Sequence, residues 1–156
     1  MVESSRTFPS DLGQLTAMRE FLDTACRSAW AVEVDDEALC ELEVATQEAV
    51  TNIIRHAYQG EAGRPIYMAV AADDNTAWVT LSHHGRDFDP ETIPEPSFDG
   101  SRFGGFGVYL IAQLVDEVTY TRDDAGRSGI RLVKRRKENR GQKSEVRGQG
   151  SENQDS

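Results

Sequence analysis

The sequence predicts an α+β (α/β) fold: a two-layer sandwich in which a mixed, mostly antiparallel sheet carries its helices on one face. Three observations point there. Apolar residues recur at helical spacing in two stretches before residue 58 and in one near residue 110. Two pairs of short β-type runs are each joined by an Asp-rich turn, so each pair reads as a hairpin. The order of elements is strand, two helices, hairpin, long loop, helix, hairpin.

Arg6-Thr7-Phe8-Pro9 is expected to be a short edge strand ended by proline. Ser10 or Asp11 then caps a helix that places Leu12, Leu15, Met18, Phe21, Leu22 and Ala25 on one face. Val34-Asp35-Asp36-Glu37 starts a second helix, its acidic residues suited to the positive end of the helix dipole, and the helix runs to about Tyr58. Gln59-Gly60-Glu61-Ala62-Gly63 is a turn, followed by strands Ile66 to Ala72 and Trp78 to Ser82 around Asp73-Asp74-Asn75. Residues 85–104 carry Pro90, Pro94 and Pro96 with Gly85, Gly100 and Gly104 and show no periodicity. A loop of that length in a compact domain is usually functional, often a lid. A helix from Gly105 or Phe106 to about Asp116 supplies Val108, Leu110, Ile111, Leu114 and Val115 to the core. Strands Val118 to Thr121 and Gly129 to Val133 flank Asp123-Asp124-Ala125-Gly126. From Glu138 the chain is rich in Gly, Gln, Ser and charge, with Val146 its one apolar residue, and is expected to be disordered. The expected organisation is thus one domain, residues 1–137, and a tail, residues 138–156.

Composition excludes some classes. No apolar run approaches the length of a membrane span, and Met1 to Arg6 lacks the pattern of a signal peptide, so no membrane partner is expected and the expected address is cytoplasmic. The net charge is −10, but residues 134–156 carry a local excess of three positive charges, which leaves −13 on the rest. An acidic body repels phosphate backbones, which argues against nucleic acid as a partner. Lys134-Arg135-Arg136-Lys137 reads as a solubilising end to the last strand rather than a nucleic-acid patch. Cys26 and Cys40 have no metal-ligand spacing and read as reduced, half-buried thiols.

The segment Gln47 to Tyr58 carries chemistry. At about 100° per residue, Glu48, Asn52 and His56 fall within a quarter turn, while Ala49, Val50, Ile53, Ile54 and Ala57 occupy the other side. A carboxylate and a carboxamide one turn apart can hold a hydrated metal ion and orient a proton acceptor. Magnesium suits such a site because it keeps several waters and takes few protein ligands. Gly104-Gly105-Phe106-Gly107 opens directly into an apolar-faced helix. Free N–H groups at a helix start attract phosphate, although glycine clusters also cap helices for structural reasons alone. His83 and His84 are adjacent on a strand and point to opposite faces, which argues against shared metal binding.

Taken together, these segments resemble the GHKL ATPase superfamily (histidine-kinase-like ATPase domains of the Bergerat ATP-binding fold). Within it they resemble the anti-sigma-factor serine/threonine kinases of bacterial partner-switching systems. The resemblance spans Phe8 to Lys134. Glu48-Ala49-Val50-Thr51-Asn52 with His56-Ala57-Tyr58 looks like the family's N box. Gly85 with Phe88-Asp89-Pro90 looks like its first glycine box, and Gly105 to Ile111, followed by Leu114-Val115-Asp116-Glu117-Val118, like its second. The resemblance implies ATP and Mg as cofactors. Asn52 is then the metal ligand, Glu48 the general base towards a serine hydroxyl, and Gly105 and Gly107 backbone donors to the phosphates. His56 and Gly85 join the nucleotide-binding set, and Arg102 is either a partner of the terminal phosphate or a solvated arginine.

One position departs from the family pattern. Two residues before the first-box glycine the family has an aspartate that accepts a hydrogen bond from the adenine amino group; this chain has His83. Neutral imidazole has one acceptor nitrogen, so that bond survives in one tautomer only. The resemblance implies a STAS-type anti-anti-sigma protein and a sigma factor as partners, and a homodimer. His83 leaves three readings open: an active kinase with altered adenine recognition, a pseudokinase that binds its partner without nucleotide control, or an ATPase domain acting in another signalling context, such as a fragment of a histidine-kinase-like sensor.

Overall fold

The computed structural model describes residues 1–30, 36–86 and 106–136. Three expectations therefore fall at least partly outside the described residues. They are the loop with Arg102 and Gly105, the start of the second helix at Val34 and Asp35, and the tail from residue 138 with Lys137 before it.

Strand β1 spans Val2–Pro9, longer than the four residues expected. Glu3-Ser4-Ser5 has no strand-like side chains, but its backbone pairs with Ala69 to Ala71 of strand β2, Pro65–Ala72. At a sheet edge, such polar residues are tolerated because one side faces water. Ser10 closes this strand onto the turn after the second helix: its hydroxyl donates to the Glu61 carbonyl (2.7 Å) and accepts from Arg64 N–H (2.8 Å). Asp11 caps a short 3₁₀ turn, Leu12–Gln14, through Gly13 N–H at 2.8 Å. Helix α1, Leu15–Trp30, follows and buries Met18, Leu22, Ala25, Cys26 and Trp30. Leu12 sits on the 3₁₀ turn and is 45% exposed, so it is not the core residue its spacing implied.

Helix α2, Glu37–Asn52, starts at Asp36, whose carboxylate accepts from Leu39 N–H at 2.9 Å. Leu39, Leu42, Ala45, Ala49 and Val50 form its buried stripe. The expected single helix to Tyr58 changes character at its end: Ile53–Ala57 is a π-helical turn, closed by Tyr58 N–H on the Ile53 carbonyl at 2.9 Å. Strand β3, Thr76–His83, helix α3, Phe106–Leu114, and strands β4, Glu117–Arg122, and β5, Ser128–Arg135, complete the chain.

The sheet order is β1-β2-β3-β5-β4. Every pairing among the described residues is antiparallel, which corrects the expectation of a mixed sheet. The reason is that both hairpins pair internally and join through β3 and β5, with Leu81 opposite Ile130 and His83 opposite Ser128. Ile66, Met68, Val70 and Ala72 of β2, Ala77, Val79, Leu81 and His83 of β3, and Ile130 and Leu132 of β5 are buried beneath the helices. The period of two puts Tyr67, Trp78, Thr80 and Arg131 on the other face.

The basic end of β5 is not simply solubilising. Lys134 Nζ donates to Glu41 Oε1 and to the Leu114 carbonyl, both at 2.7 Å, and so ties α2 and α3 to the sheet. Arg136 donates to the Trp30 carbonyl (3.0 Å) and the Asp36 carboxylate (3.3 Å), which joins the ends of α1 and α2. Both cysteines are free: Cys26 is fully buried rather than half-buried, and Cys40 is exposed. Burial pushes the Cys26 thiol up to about 12.

Candidate functional site

The polar face of α2 meets the first turn of α3. A methyl group placed on Gly107 would lie 3.0 Å from Glu48 Oε1 and 3.3 Å from each terminal atom of the Asn52 amide. Glycine is thus the residue that lets the start of α3 come into contact with both side chains. The first N–H groups of a helix have no partner within it, so this contact brings a carboxylate, a carboxamide and a donor-rich helix start together. As oxygen donors, Glu48 and Asn52 fit a magnesium ion that keeps most of its water. Among the described residues there is no cluster of three or more His, Cys, Asp or Glu side chains able to enclose a metal by themselves.

Beside this contact lies a narrow slot of about 20 Å³, the room of roughly one water molecule. Ala49, Asn52, Ile53 and Ala57 form its helical wall. His83 comes from β3, and Tyr120, Gly129 and Ile130 close the side of the second hairpin. Asn52 belongs to both the slot and the contact at Gly107.

His83 is 2% exposed. Its Nδ1 accepts a hydrogen bond from Gly85 N–H at 3.1 Å, and the Tyr58 ring stands edge-on to it at 5.7 Å. Tyr58 is fixed in turn, because its hydroxyl donates to the Pro65 carbonyl and accepts from His84 N–H. Burial, with the neighbouring His84 adding, holds the His83 imidazole below its ordinary 6.5, so the ring is neutral at pH 7. His84 is exposed and bonded to Tyr67 at 3.1 Å, so the two histidines do point apart.

Gly85 plays a packing part. A Cβ there would stand 2.5 Å from the Ala57 carbonyl oxygen and 2.9 Å from the Tyr58 ring. That same carbonyl accepts from Arg86 N–H at 2.9 Å, so the end of β3 is pinned against the π turn.

Of the residues singled out from sequence, the structure brings Glu48, Asn52 and Gly107 into contact and sets Asn52 and His83 on one slot. His56 lies on the π turn, is exposed, and does not line the slot. Arg102 and Gly105 are outside the described residues. Sequence reading missed Tyr120, Gly129 and Ile130. The one available signal was Gly129 inside a strand, a mark of close backbone approach. A Cβ at Gly129 would lie 2.4 Å from the Leu81 carbonyl oxygen and 3.0 Å from Thr121 Oγ1.

Comparison with known proteins gives the following. The family pattern described as histidine kinase-like ATPase domain matches residues 8–134. The serine-protein kinase RsbW of Oceanobacillus iheyensis is 32% identical over 90 residues, 53% of this chain and 57% of that protein. The serine-protein kinase RsbW of Listeria monocytogenes is 31% identical over 96 residues, 56% of this chain and 61% of that protein. That of Staphylococcus epidermidis is 32% identical over 115 residues, 66% and 72% of the two chains. The chain thus spans about three-fifths of the length of the first two. The histidine kinase domain of the E. coli osmosensor EnvZ superposes with a TM-score of 0.42 at 16% identity, over 97% of this chain and 95% of that one. No helix among the described residues is long and apolar enough to cross a membrane.

Proposed function

We propose a function from one premise: the chain belongs to the histidine kinase-like ATPase domain family. We infer that it is an ATP-dependent serine/threonine protein kinase of the anti-sigma type. On this reading it phosphorylates a STAS-type anti-anti-sigma protein, and binding of that partner competes with sequestration of a sigma factor. A homodimer in the cytoplasm is part of the reading. The similarity to serine-protein kinases supports the reaction class.

The observation that carries the reading is the contact of Gly107 with Glu48 and Asn52. Phosphoryl transfer needs mainly positioning and charge neutralisation, so few protein groups suffice. The N–H groups at the start of α3, with Gly105 and Gly107, hold the phosphates. The Asn52 amide oxygen would hold magnesium, which when bound would supply positive charge against the phosphate oxygens. Glu48 takes the proton of the partner's hydroxyl as that oxygen bonds to the terminal phosphorus and the nucleoside diphosphate leaves. Arg102 is assigned to the terminal phosphate. Gly85 acts through packing and through its N–H on His83, and His56 stands at the margin of the site.

The test pairs calorimetric titration of magnesium–nucleotide with transfer of labelled phosphate to a STAS-domain acceptor, on the native chain and on Glu48→Gln. Removing a general base costs about 10²–10⁴-fold in rate, so transfer falls by that factor while nucleotide affinity stays within a few-fold. Transfer at the native rate, or loss of nucleotide binding, refutes the role of Glu48. The pseudokinase reading draws on one observation, the engagement of the His83 acceptor nitrogen by Gly85 N–H. It predicts that the native chain binds no nucleotide.

A further inference from the structure

We propose that the face of the sheet opposite the described helices is where two copies of this chain meet, each copy laying its Trp78 on Ala71 of the other. This rests on the homodimer in the reading above; the surface that forms it is the new step.

The strand period of two buries every second residue of β2 and β3 beneath the helices and sends the others to the opposite face. An open groove of about 770 Å³ lies there, across β1, β2, β3 and β5. Small side chains line it (Ser5, Ala69, Ala71 and Thr80) beside the half-buried Trp78. Glu3 stands on its β1 side and Arg131 on its β5 side, and both are exposed. Neither has an ion-pair partner among the described residues. A large aromatic ring next to a bed of alanine is a knob beside a hole, and tryptophan is enriched at the centres of protein interfaces. The face is also large enough. Five strands about 4.8 Å apart, each about eight residues of 3.4 Å, cover roughly 650 Å² in projection, of the order of the ~800 Å² per partner in a stable interface.

Strand register identifies the occupant as a second copy. Ala71 is opposite Trp78, and Ala69 is opposite Thr80. A two-fold axis running along the strands, midway between β2 and β3, lays β2 of one copy over β3 of the other. Each Trp78 then falls on Ala71 of the other copy, and each Thr80 on Ala69. The same axis lays β1 over β5. Glu3 shares a row with Ala71 and Trp78, whereas Arg131 shares the row of Ala69 and Thr80, two residues along. Glu3 therefore lies about 7 Å along the strand from Arg131 of the other copy, within an arginine's reach. Within one copy the two are three strand spacings apart, about 14 Å, so they pair between copies and not within one. Two sheets that meet face to face with their strands roughly aligned are a common arrangement. Charge selects against other occupants. The groove sets one acid against one base, so it has no excess charge to draw a strongly basic or acidic partner, and it complements itself.

The experiment is analytical ultracentrifugation over a dilution series of the native chain, Ala71→Arg, Arg131→Glu and the double reversal Glu3→Arg with Arg131→Glu. Thermal melts show that each variant is folded. Tryptophan emission of the native chain is followed over the same dilution. Trp30 is buried, so a red shift on dilution reports exposure of Trp78. The native chain is expected to be a dimer whose emission shifts to the red as it dissociates. Ala71→Arg and Arg131→Glu weaken the dimer by at least about tenfold, and the double reversal restores it to within about threefold. A native chain that stays monomeric overturns the proposal. So does a dimer that Ala71→Arg leaves intact, which is association through another surface such as the edge of β1, or a double reversal no tighter than Arg131→Glu alone. Titration of a STAS-domain acceptor and of a sigma factor tests the other occupants: binding of either that Ala71→Arg abolishes gives the face to that partner and overturns the proposal. Transfer of phosphate to the acceptor separates the two readings. A native dimer of the expected kind that transfers none refutes the kinase and leaves the interface standing, whereas a native monomer that transfers refutes the interface alone.

Discussion

Replacing Gly85 by alanine tests whether this glycine serves packing, as the structure indicates, or ligand contact, as its place in a glycine box implies. The new Cβ would stand 2.5 Å from the Ala57 carbonyl oxygen and 2.7 Å from its carbon, where ordinary contact begins at 3.4 Å. Both are backbone atoms, so relief requires the end of β3 and the π turn to part by about 0.9 Å, the gap between 2.5 and 3.4 Å. The Arg86 N–H bond to that carbonyl, now 2.9 Å, does not survive such a shift. Overpacking of this kind costs about 1–3 kcal/mol, and the lost hydrogen bond about 1 kcal/mol more. The stiffer unfolded chain returns about 0.4–1 kcal/mol, which leaves a net loss of about 1–3.5 kcal/mol. For a domain of this size each kcal/mol moves Tm by roughly 3–5 °C, so the midpoint falls by about 3–18 °C. Thermal melts followed by circular dichroism measure it, with Gly60→Ala as control. Gly60 has φ +82° but nothing within 4 Å of a new Cβ, so that variant pays backbone strain of about 1 kcal/mol without a clash. A Gly85→Ala midpoint within about 2 °C of native, with nucleotide affinity lost, would refute the packing argument.

Two further outcomes follow from the same geometry. Gly107→Ala puts a methyl group 3.0 Å from Glu48 Oε1, so magnesium–nucleotide affinity falls by about tenfold or more, while stability barely changes because alanine favours the helix by about 1 kcal/mol. Calorimetry with a parallel melt checks both, and undiminished affinity contradicts the close contact. Glu43 is held up at about 7 by burial, then by the hydrogen bond and charge of Asp23, against Arg19 and Arg27. Between its ordinary 4.5 and about 7 the native state keeps a proton that the unfolded state releases, so stability falls as pH rises through that window. Glu43→Gln is expected to raise Tm at pH 8 and to leave it unchanged at pH 4; equal shifts at both would exclude this origin.

Where a local rule decided an element, the sequence revealed it. Asp36 caps α2 because a carboxylate before an apolar-periodic run satisfies a free N–H. Asp73 makes the β2–β3 turn by accepting from Asn75 and Thr76 N–H. What stayed hidden was decided by distant chain. Glu3-Ser4-Ser5 becomes strand because β2 offers it a partner. The π turn at Ile53–Ala57 has residues that an α-helix also accepts; the Arg86 N–H and the close approach of Gly85, both across the fold, pin its end. The candidate site divides the same way. Glu48, Asn52 and Gly107 were legible because their chemistry is in the side chain or its absence. Tyr120 and Ile130 were not, because the wall of a slot and the wall of a core are built from the same residues.

His83 shows why residue type alone underdetermines a site. The sequence names an imidazole but leaves open whether it donates or accepts. The choice falls to a backbone N–H two residues on, which reaches Nδ1 because Gly85 lets the strand end press against Ala57. The two glycines therefore serve different physics. Gly107 makes room for the Glu48 and Asn52 side chains, whereas Gly85 makes room for the Ala57 carbonyl and gives its N–H to His83. Glu48 and Asn52 lie on α2, before the helix changes to a π turn, whereas His83 lies on β3, so the two parts of the candidate site belong to different elements that meet at Asn52.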